Sequence, residues 1–218
     1  MVRRTKEEAL ETRNRILDTA EYVFYEKGVS RTSLEHIARA SGVTRGAIYW
    51  HFENKVDLFT AMFDRIRLPM ETMIERCDED PDKDPIGTLR KVFTLVLCET
   101  VRNPHRRRVL EIIFHKCEYT DEMGSMMQRL QEACADGRER IEHSMRRAVD
   151  LGHLPADLDT RRAAVLLHAT ITGLISDWLF MPESFKLEDE AVIVADSFFD
   201  MLRLAPALRT PATGAAAR

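Results

Sequence analysis

Apolar residues recur every three or four positions along almost the whole chain, the spacing of helices that bury one face. Near the start, Ile16, Ala20, Val23 and Phe24 share such a face, Thr5-x-x-Glu8 reads as a capping box before it, and Gly28 ends it. Leu34, Ile37 and Ala38 predict a short helix capped by Ser33 and stopped at Ser41-Gly42, and a second short helix follows from Thr44 to about His51. Asn54 caps the next, with Asp57 in its first turn, and Leu58, Met62, Ile66 and Met73 carry that helix to about Arg76.

Beyond it, Asp78-Glu-Asp-Pro-Asp-Lys-Asp-Pro85 is acidic and broken twice by proline, so it reads as an exposed loop. Asp84-Pro85 and Asn103-Pro104 each place a capping residue before a proline suited to a first helical position. Further helices are expected over 86–102, 104–118, 121–151, 160–180 and 187–204, punctuated by Gly152, Pro155, Pro182 and Pro206. Residues 207–218, rich in Ala, Thr and Pro, read as a flexible tail. No alternating β-branched run competes with this pattern, and the expected fold is all-α.

Composition narrows the class. The chain has 218 residues, 44% hydrophobic and 31% charged, which suits a globular protein with a substantial core. Its N-terminus is charged with no apolar stretch behind it, so no signal peptide is read there. The longest uncharged run, Ala163 to Ser176, is 14 residues, short for a bilayer span and suited to a buried helix. The four cysteines lie far apart with no Cys-x-x-Cys pair, which fits packed, reduced thiols and a cytoplasmic location.

Charge adds a division of labour. The total is 32 − 36 = −4, which taken whole argues against nucleic acid. Residues 1–56, however, hold ten Lys/Arg against eight Asp/Glu, whereas 57–218 hold 22 against 28. Within 27–55, Lys27, Arg31, Arg39, Arg45 and Lys55 face only Glu35 and Glu53. A compact basic segment is joined to an acidic body.

That basic segment carries the chemistry. Two short helices joined by Ser41-Gly42-Val43 have helix-turn-helix spacing, with Gly42 free to take the positive φ of a sharp turn. Leu34, Ile37, Ala38, Val43 and Ile48 would form their shared core over Ile16, Ala20 and Phe24. The second helix would enter the major groove of DNA with its N-terminal residues toward the base edges. Thr44 caps it and can meet a phosphate, Arg45 can make a bidentate contact to guanine, and Gly46 and Ala47 let the backbone come close. Tyr49, His51 and Lys55 offer further phosphate or base contacts, and Ser33 can hold a phosphate from the preceding helix. Tyr49 and Trp50 are compatible with either the core or the surface. Paired short helices around a glycine also occur in helical proteins that never touch DNA.

The run Gly42-Val-Thr-Arg-Gly-Ala-Ile-Tyr-Trp-His-Phe52 with Lys55 resembles the DNA-binding signature of the TetR family of bacterial transcriptional regulators. The opening Arg-Arg-Thr-Lys-Glu-Glu-Ala-Leu-Glu-Thr-Arg, with Glu111-Ile-Ile-Phe-His-Lys-Cys-Glu, Leu154-Pro-Ala-Asp-Leu and Gly173-Leu-Ile-Ser-Asp-Trp-Leu, resembles its AcrR-type branch. The likeness spans nearly the whole chain, densest to about residue 60 and patchy over 61–100. It implies a homodimer that represses multidrug efflux pump genes, binds a near-palindromic double-stranded operator as one dimer or a pair of dimers, and leaves it when a small hydrophobic, drug-like effector binds the C-terminal part. A regulator of the same fold that controls catabolic or lipid genes and senses a metabolite is the alternative.

The resemblance implies three segments: a three-helix helix-turn-helix domain over 1–54, a larger helical ligand-binding and dimerisation domain over 55–206, and the tail from 207. By family position, effector walls would come from Ile66, Met70, Val96, Leu110, Phe114, Leu130, Cys134, His168, Ile171, Thr172 and Ile175, with Arg67 and His168 as polar anchors. Met70, Met73, Met123, Met126 and Met127 fall where thioethers could adapt to varied ligands, or simply fill core. Helices 160–180 and 187–204 are apolar around much of their circumference (Ala164, Leu167, Ile171, Leu174, Ile175, Trp178, Leu179; Val192, Val194, Ala195, Phe198, Phe199, Leu202), as expected where a second chain covers one side. His115, Cys117 and Glu118 with Glu111 make a lone cluster without the spacing of a metal site, so no metal and no cofactor are expected. No nucleophile elbow, dinucleotide, phosphate-loop or His-Glu-x-x-His motif is present, and the chain is not read as an enzyme.

Overall fold

In the computed structural model, residues 6–77, 84–117 and 124–210 are described. Among them the chain is helical: α1 (Lys6–Lys27), α2 (Leu34–Ala40), α3 (Arg45–His51), α4 (Lys55–Cys77), α5 (Pro85–Arg102), α6 (Pro104–Glu111), α7 (Gly124–Asp150), α8 (Thr160–Phe180) and α9 (Leu187–Leu204). Thr5, most of the acidic segment 78–85, Glu118, Met123 and residues 121–123 of the expected helix lie outside the described residues.

The chain forms two compact units, residues 1–70 with 103–131 and residues 71–102 with 132–218. In the first, α1, α2, α3 and the beginning of α4 converge on a core of Ile16, Ala20, Phe24, Ile37, Ile48, Phe52, Phe59 and Met62, to which α6 adds Val109. The apolar periodicity of α1 decides which of its faces points inward: Ile16, Ala20 and Phe24 recur every fourth residue and all are fully buried. Gly28 closes α1 with φ of +78°, its N–H donating to the Phe24 carbonyl at 2.9 Å.

The expected helix 104–118 is corrected. Regular α6 ends at Glu111, and a π-helical turn, Ile112–Lys116, follows. Ile112 and Ile113 are both buried in this turn. The Lys116 carbonyl accepts from the Val29 N–H at 3.4 Å, tying this turn to the segment between α1 and α2.

In the second unit, α5 packs along α9, and α8 packs on both. Its buried residues include Phe93 and Leu97 of α5, Leu167, Ile175 and Trp178 of α8, and Ala195, Phe199 and Leu202 of α9. Arg90 of α5 stacks over the Phe199 ring, 5.0 Å from its centroid, and pairs with Asp196. Helix α8, whose most apolar 18 residues have a mean hydropathy of 1.5, is long and apolar enough to cross a membrane by composition, but it buries Ala163, Ala164, Leu167, Ile175, Trp178 and Leu179 in this unit.

Residues 207–210 of the expected tail are tied down, and residues 211–218 lie outside the described residues. Pro206–Leu208 is a 3-10 turn, Leu208 is buried, and its carbonyl accepts from the Asp159 N–H at 2.8 Å. Thr210 N–H donates to the Asp157 carbonyl at 2.8 Å. Backbone pairing with 157–159 holds residues that composition alone marked as loose.

Candidate nucleic-acid interface

Helices α2 and α3 are seven residues each, too short to persist alone, and they are built by their ends and by one buried side. The Ser33 hydroxyl accepts from the His36 N–H at 3.3 Å, and the Thr44 hydroxyl accepts from the Ala47 N–H at 3.1 Å. Each hydroxyl keeps its own O–H to donate to a phosphate oxygen. Between the helices, Ser41 is buried and its hydroxyl donates to the Ile37 carbonyl at 2.8 Å. Gly42 takes φ of +67°, and the Val43 N–H donates to the Ala38 carbonyl at 3.0 Å. This is the sharp turn that the spacing predicts.

The buried side of α3 is Ile48, followed by Phe52 at the helix end, over which the Arg13 guanidinium lies 5.1 Å from the ring centroid. The opposite side is open. Thr44, Arg45, Gly46 and Tyr49 are exposed, and Ala47 and His51 are half-buried. A Cβ built on Gly46 would meet nothing within 4 Å, so the smallness of that residue answers no requirement inside the protein. Lys55 opens α4 half-buried; beside it, Asn54 accepts from the Asp57 N–H at 2.9 Å and Asp57 accepts from the Glu53 N–H at 3.0 Å.

Sequence reasoning left Tyr49 and Trp50 open between core and surface and gave Glu35 no role; Tyr49 is exposed. Trp50 is 72% exposed, its ring edge-on to His51 with centroids 4.5 Å apart, so it belongs to the surface and not the core. Glu35 of α2 pairs with Arg45, Oε1 to guanidinium nitrogen 2.9 Å, while the same guanidinium lies 5.6 Å from the Tyr49 ring centroid. The Arg45–Tyr49 contact is the i,i+4 spacing of one helix, whereas the pairing with Glu35 joins two helices and does not follow from spacing within either.

The expected effector residues are divided between the units. Ile66 and Met70 are buried in the first unit, where Leu110 and Leu130 are half-buried and Phe114 is exposed. Arg67 donates to Asp64 at 3.2 Å, and Arg129 reaches the same carboxylate at 2.6 Å. In the second unit, Ile175 is buried and Val96, Cys134, His168, Ile171 and Thr172 are half-buried. Burial pushes the Cys134 thiol above its ordinary range and the His168 imidazole below, with Arg138 lowering His168 further, so both are neutral near pH 7. The Thr172 hydroxyl lies 3.0 Å from the His168 carbonyl and 3.2 Å from that of Ala169. Of the methionines, Met126 is buried, Met127 half-buried and Met73 exposed. A cleft of about 630 Å³ in the second unit, between Arg90, Leu95, Cys98 and Val192, is lined by none of these residues.

Asp18, Glu21 and His105 bring possible metal-binding atoms within 4.8 Å of one another, in the first unit. Arg108 and Arg65 enter the same cluster at 3.2 and 3.7 Å from Glu21, so its carboxylates face guanidinium groups, and a further cation would be repelled.

Comparison with known proteins matches residues 16–62 to bacterial regulatory proteins of the tetR family and residues 84–204 to the C-terminal region of MAATS-type transcriptional repressors. The HTH-type transcriptional regulator TtgR of Pseudomonas putida is 45% identical over 209 residues, 96% of this chain and all of TtgR. The chain belongs to the TetR family, in its AcrR/TtgR-type branch of multidrug efflux pump repressors. It is therefore a transcriptional regulator and not an enzyme. NalD, the secondary repressor of the MexAB-OprM multidrug efflux pump in Pseudomonas aeruginosa, superposes with a TM-score of 0.83 at 38% identity, covering 92% of this chain and all of NalD. SmeT in complex with triclosan superposes with a TM-score of 0.79 at 32% identity, covering 93% of this chain and 96% of SmeT.

Proposed function

We propose that this protein represses multidrug efflux pump genes, sits on a near-palindromic operator as a homodimer, and is released by a small hydrophobic, drug-like effector. The carrying observation is the outward side of α3: Arg45, Gly46 and Tyr49 are exposed on a helix anchored by Ile48. Arg45 is the base reader, able to address guanine O6 and N7; Gly46 and Ala47 admit the DNA backbone; Ser33, Thr44, Tyr49, His51 and Lys55 contact phosphates and adjoining bases.

Dimerisation has its support in the second unit. Val165, Leu166 and Phe180 of α8 and Val192, Ile193 and Leu204 of α9 are exposed in the single chain. Six large apolar side chains open to solvent on two neighbouring helices suit burial against a second copy. Two chains related by a two-fold axis would present their α3 helices to half-sites one helical turn apart, roughly 34–36 Å.

The complex of SmeT with triclosan supports the class of effector. The half-buried and neutral His168 and Cys134, with Ile171, Thr172, Ile175 and Val96, suit an apolar ligand with few polar groups. Such a ligand releases the repressor only by binding the DNA-free conformation more tightly than the DNA-bound one. A gel shift on the DNA upstream of this organism's efflux operon tests the whole reading. Retardation that triclosan abolishes is the expected result; equal affinity for that DNA and for a scrambled duplex overturns it.

A further inference from the structure

The basic segment 27–55 holds two carboxylates, and one of them, Glu35, stands on α2 directly against the proposed base reader. A carboxylate on the surface that approaches phosphates opposes binding through like-charge repulsion. The side chains of Glu35 and Arg45 are 50% and 73% exposed, so water screens their pairing and it adds little to stability. What the pair does is orient. One guanidinium nitrogen is 2.9 Å from Glu35 Oε1, and the Tyr49 ring flanks the same group at 5.6 Å from its centroid. Arginine carries five N–H donors in a planar fork, so a carboxylate on one edge leaves the other edge free for guanine O6 and N7. In this geometry a phosphate competes with Glu35 for the guanidinium, whereas a guanine can approach the free edge.

We propose that Glu35 is a specificity-determining positioning residue, which fixes Arg45 for base reading and penalises sequence-independent contact with phosphate. The inference rests on the reading of Arg45 as a base reader, and the experiment separates the two.

Full-length wild type, Glu35→Gln, Arg45→Ala and the double variant are titrated by fluorescence anisotropy against the operator and a scrambled duplex over a range of salt. Glu35→Gln is expected to bind the scrambled duplex more tightly and to steepen its salt slope, as a freed arginine takes up a phosphate. Its ratio of specific to non-specific affinity should fall about three- to fivefold, the span of one exposed ion pair. In the Arg45→Ala background, Glu35→Gln should leave preference at the contacted base pair unchanged. A merely structural role for Glu35 would not produce that dependence on Arg45. If Glu35→Gln keeps the ratio while Arg45→Ala lowers it, the inference alone is overturned. If Arg45→Ala also keeps the ratio, the base-reader assignment is overturned and the inference with it.

Discussion

His105 Nδ1 lies 2.8 Å from Oε2 of Glu21, joining α6 to a fully buried carboxylate on α1 across 84 positions of sequence. Arg108 donates to the same oxygen at 3.2 Å, and Arg65 of α4 lies 3.7 Å from the other oxygen and 2.5 Å from Asp18. Three helices of the first unit thus meet on one acid. Removing one member of a buried ion cluster leaves the rest uncompensated, and partial exposure of the cations here limits the loss. Glu21→Ala should lower stability by about 2–3 kcal/mol in urea unfolding. A change within the error of the extrapolation would show that the cluster holds nothing together.

Gly46 separates folding from DNA contact. An added methyl meets nothing inside the protein, so Gly46→Ala should leave stability unchanged or raise it by up to about 1 kcal/mol through the lower chain entropy of alanine. Operator affinity should nevertheless fall several-fold where the methyl meets the DNA backbone. Undiminished affinity would mean that this part of α3 stays clear of the DNA.

Gly42 makes the opposite case. Space is free around it too, but its φ of +67° disfavours any side chain. Gly42→Ala should destabilise by roughly 1–2 kcal/mol, and Gly42→Asn by less, because asparagine tolerates this conformation better. Equal thermal midpoints for the two variants would contradict this account of the turn.

His168 is held below its ordinary pKa of 6.5 by burial and then by Arg138. Below pH 6.5 the unfolded chain therefore takes up a proton that the folded chain resists, so the stability from this site is present above 6.5 and is lost as pH falls toward the lower folded value. His168→Gln should flatten that part of the stability profile. An unchanged slope between pH 7 and 5 would assign the dependence to other groups.

The outer side of α9 tests assembly. Ile193 is 59% exposed and contributes nothing to the core, so Ile193→Arg should keep its helical circular dichroism. Light scattering should show a monomer in place of a dimer, with operator affinity falling because each half-site is then bound alone. A dimeric Ile193→Arg, or a monomeric wild type at micromolar concentration, would contradict the proposed interface.

The pattern of apolar residues made most helices legible: α8 and α9 fall at 160–180 and 187–204 as their spacing and flanking prolines require. The turn at Gly42 and the caps at Ser33 and Thr44 were equally readable, since each depends on residues within four positions. The π-helical turn after Glu111 was not, because no glycine or proline breaks the helical pattern there, and neither was the anchoring of Leu208 on Asp159. Glu21 was invisible for the same reason. A glutamate beside Ala20 gives no sign of burial until Arg65, His105 and Arg108 arrive from distant helices. On the surface proposed to face DNA, the exposure of Arg45 could be anticipated from its place at the start of α3, but its pairing with Glu35 on α2 could not, since that needs the packing of two helices.

Selection of bound sequences from a random duplex library by the full-length protein, with and without triclosan, addresses the central claim most directly. The account predicts enrichment of a near-palindrome with half-sites about one helical turn apart, and its loss when triclosan is present. No enriched sequence, or enrichment of one that Arg45→Ala selects equally well, would contradict it.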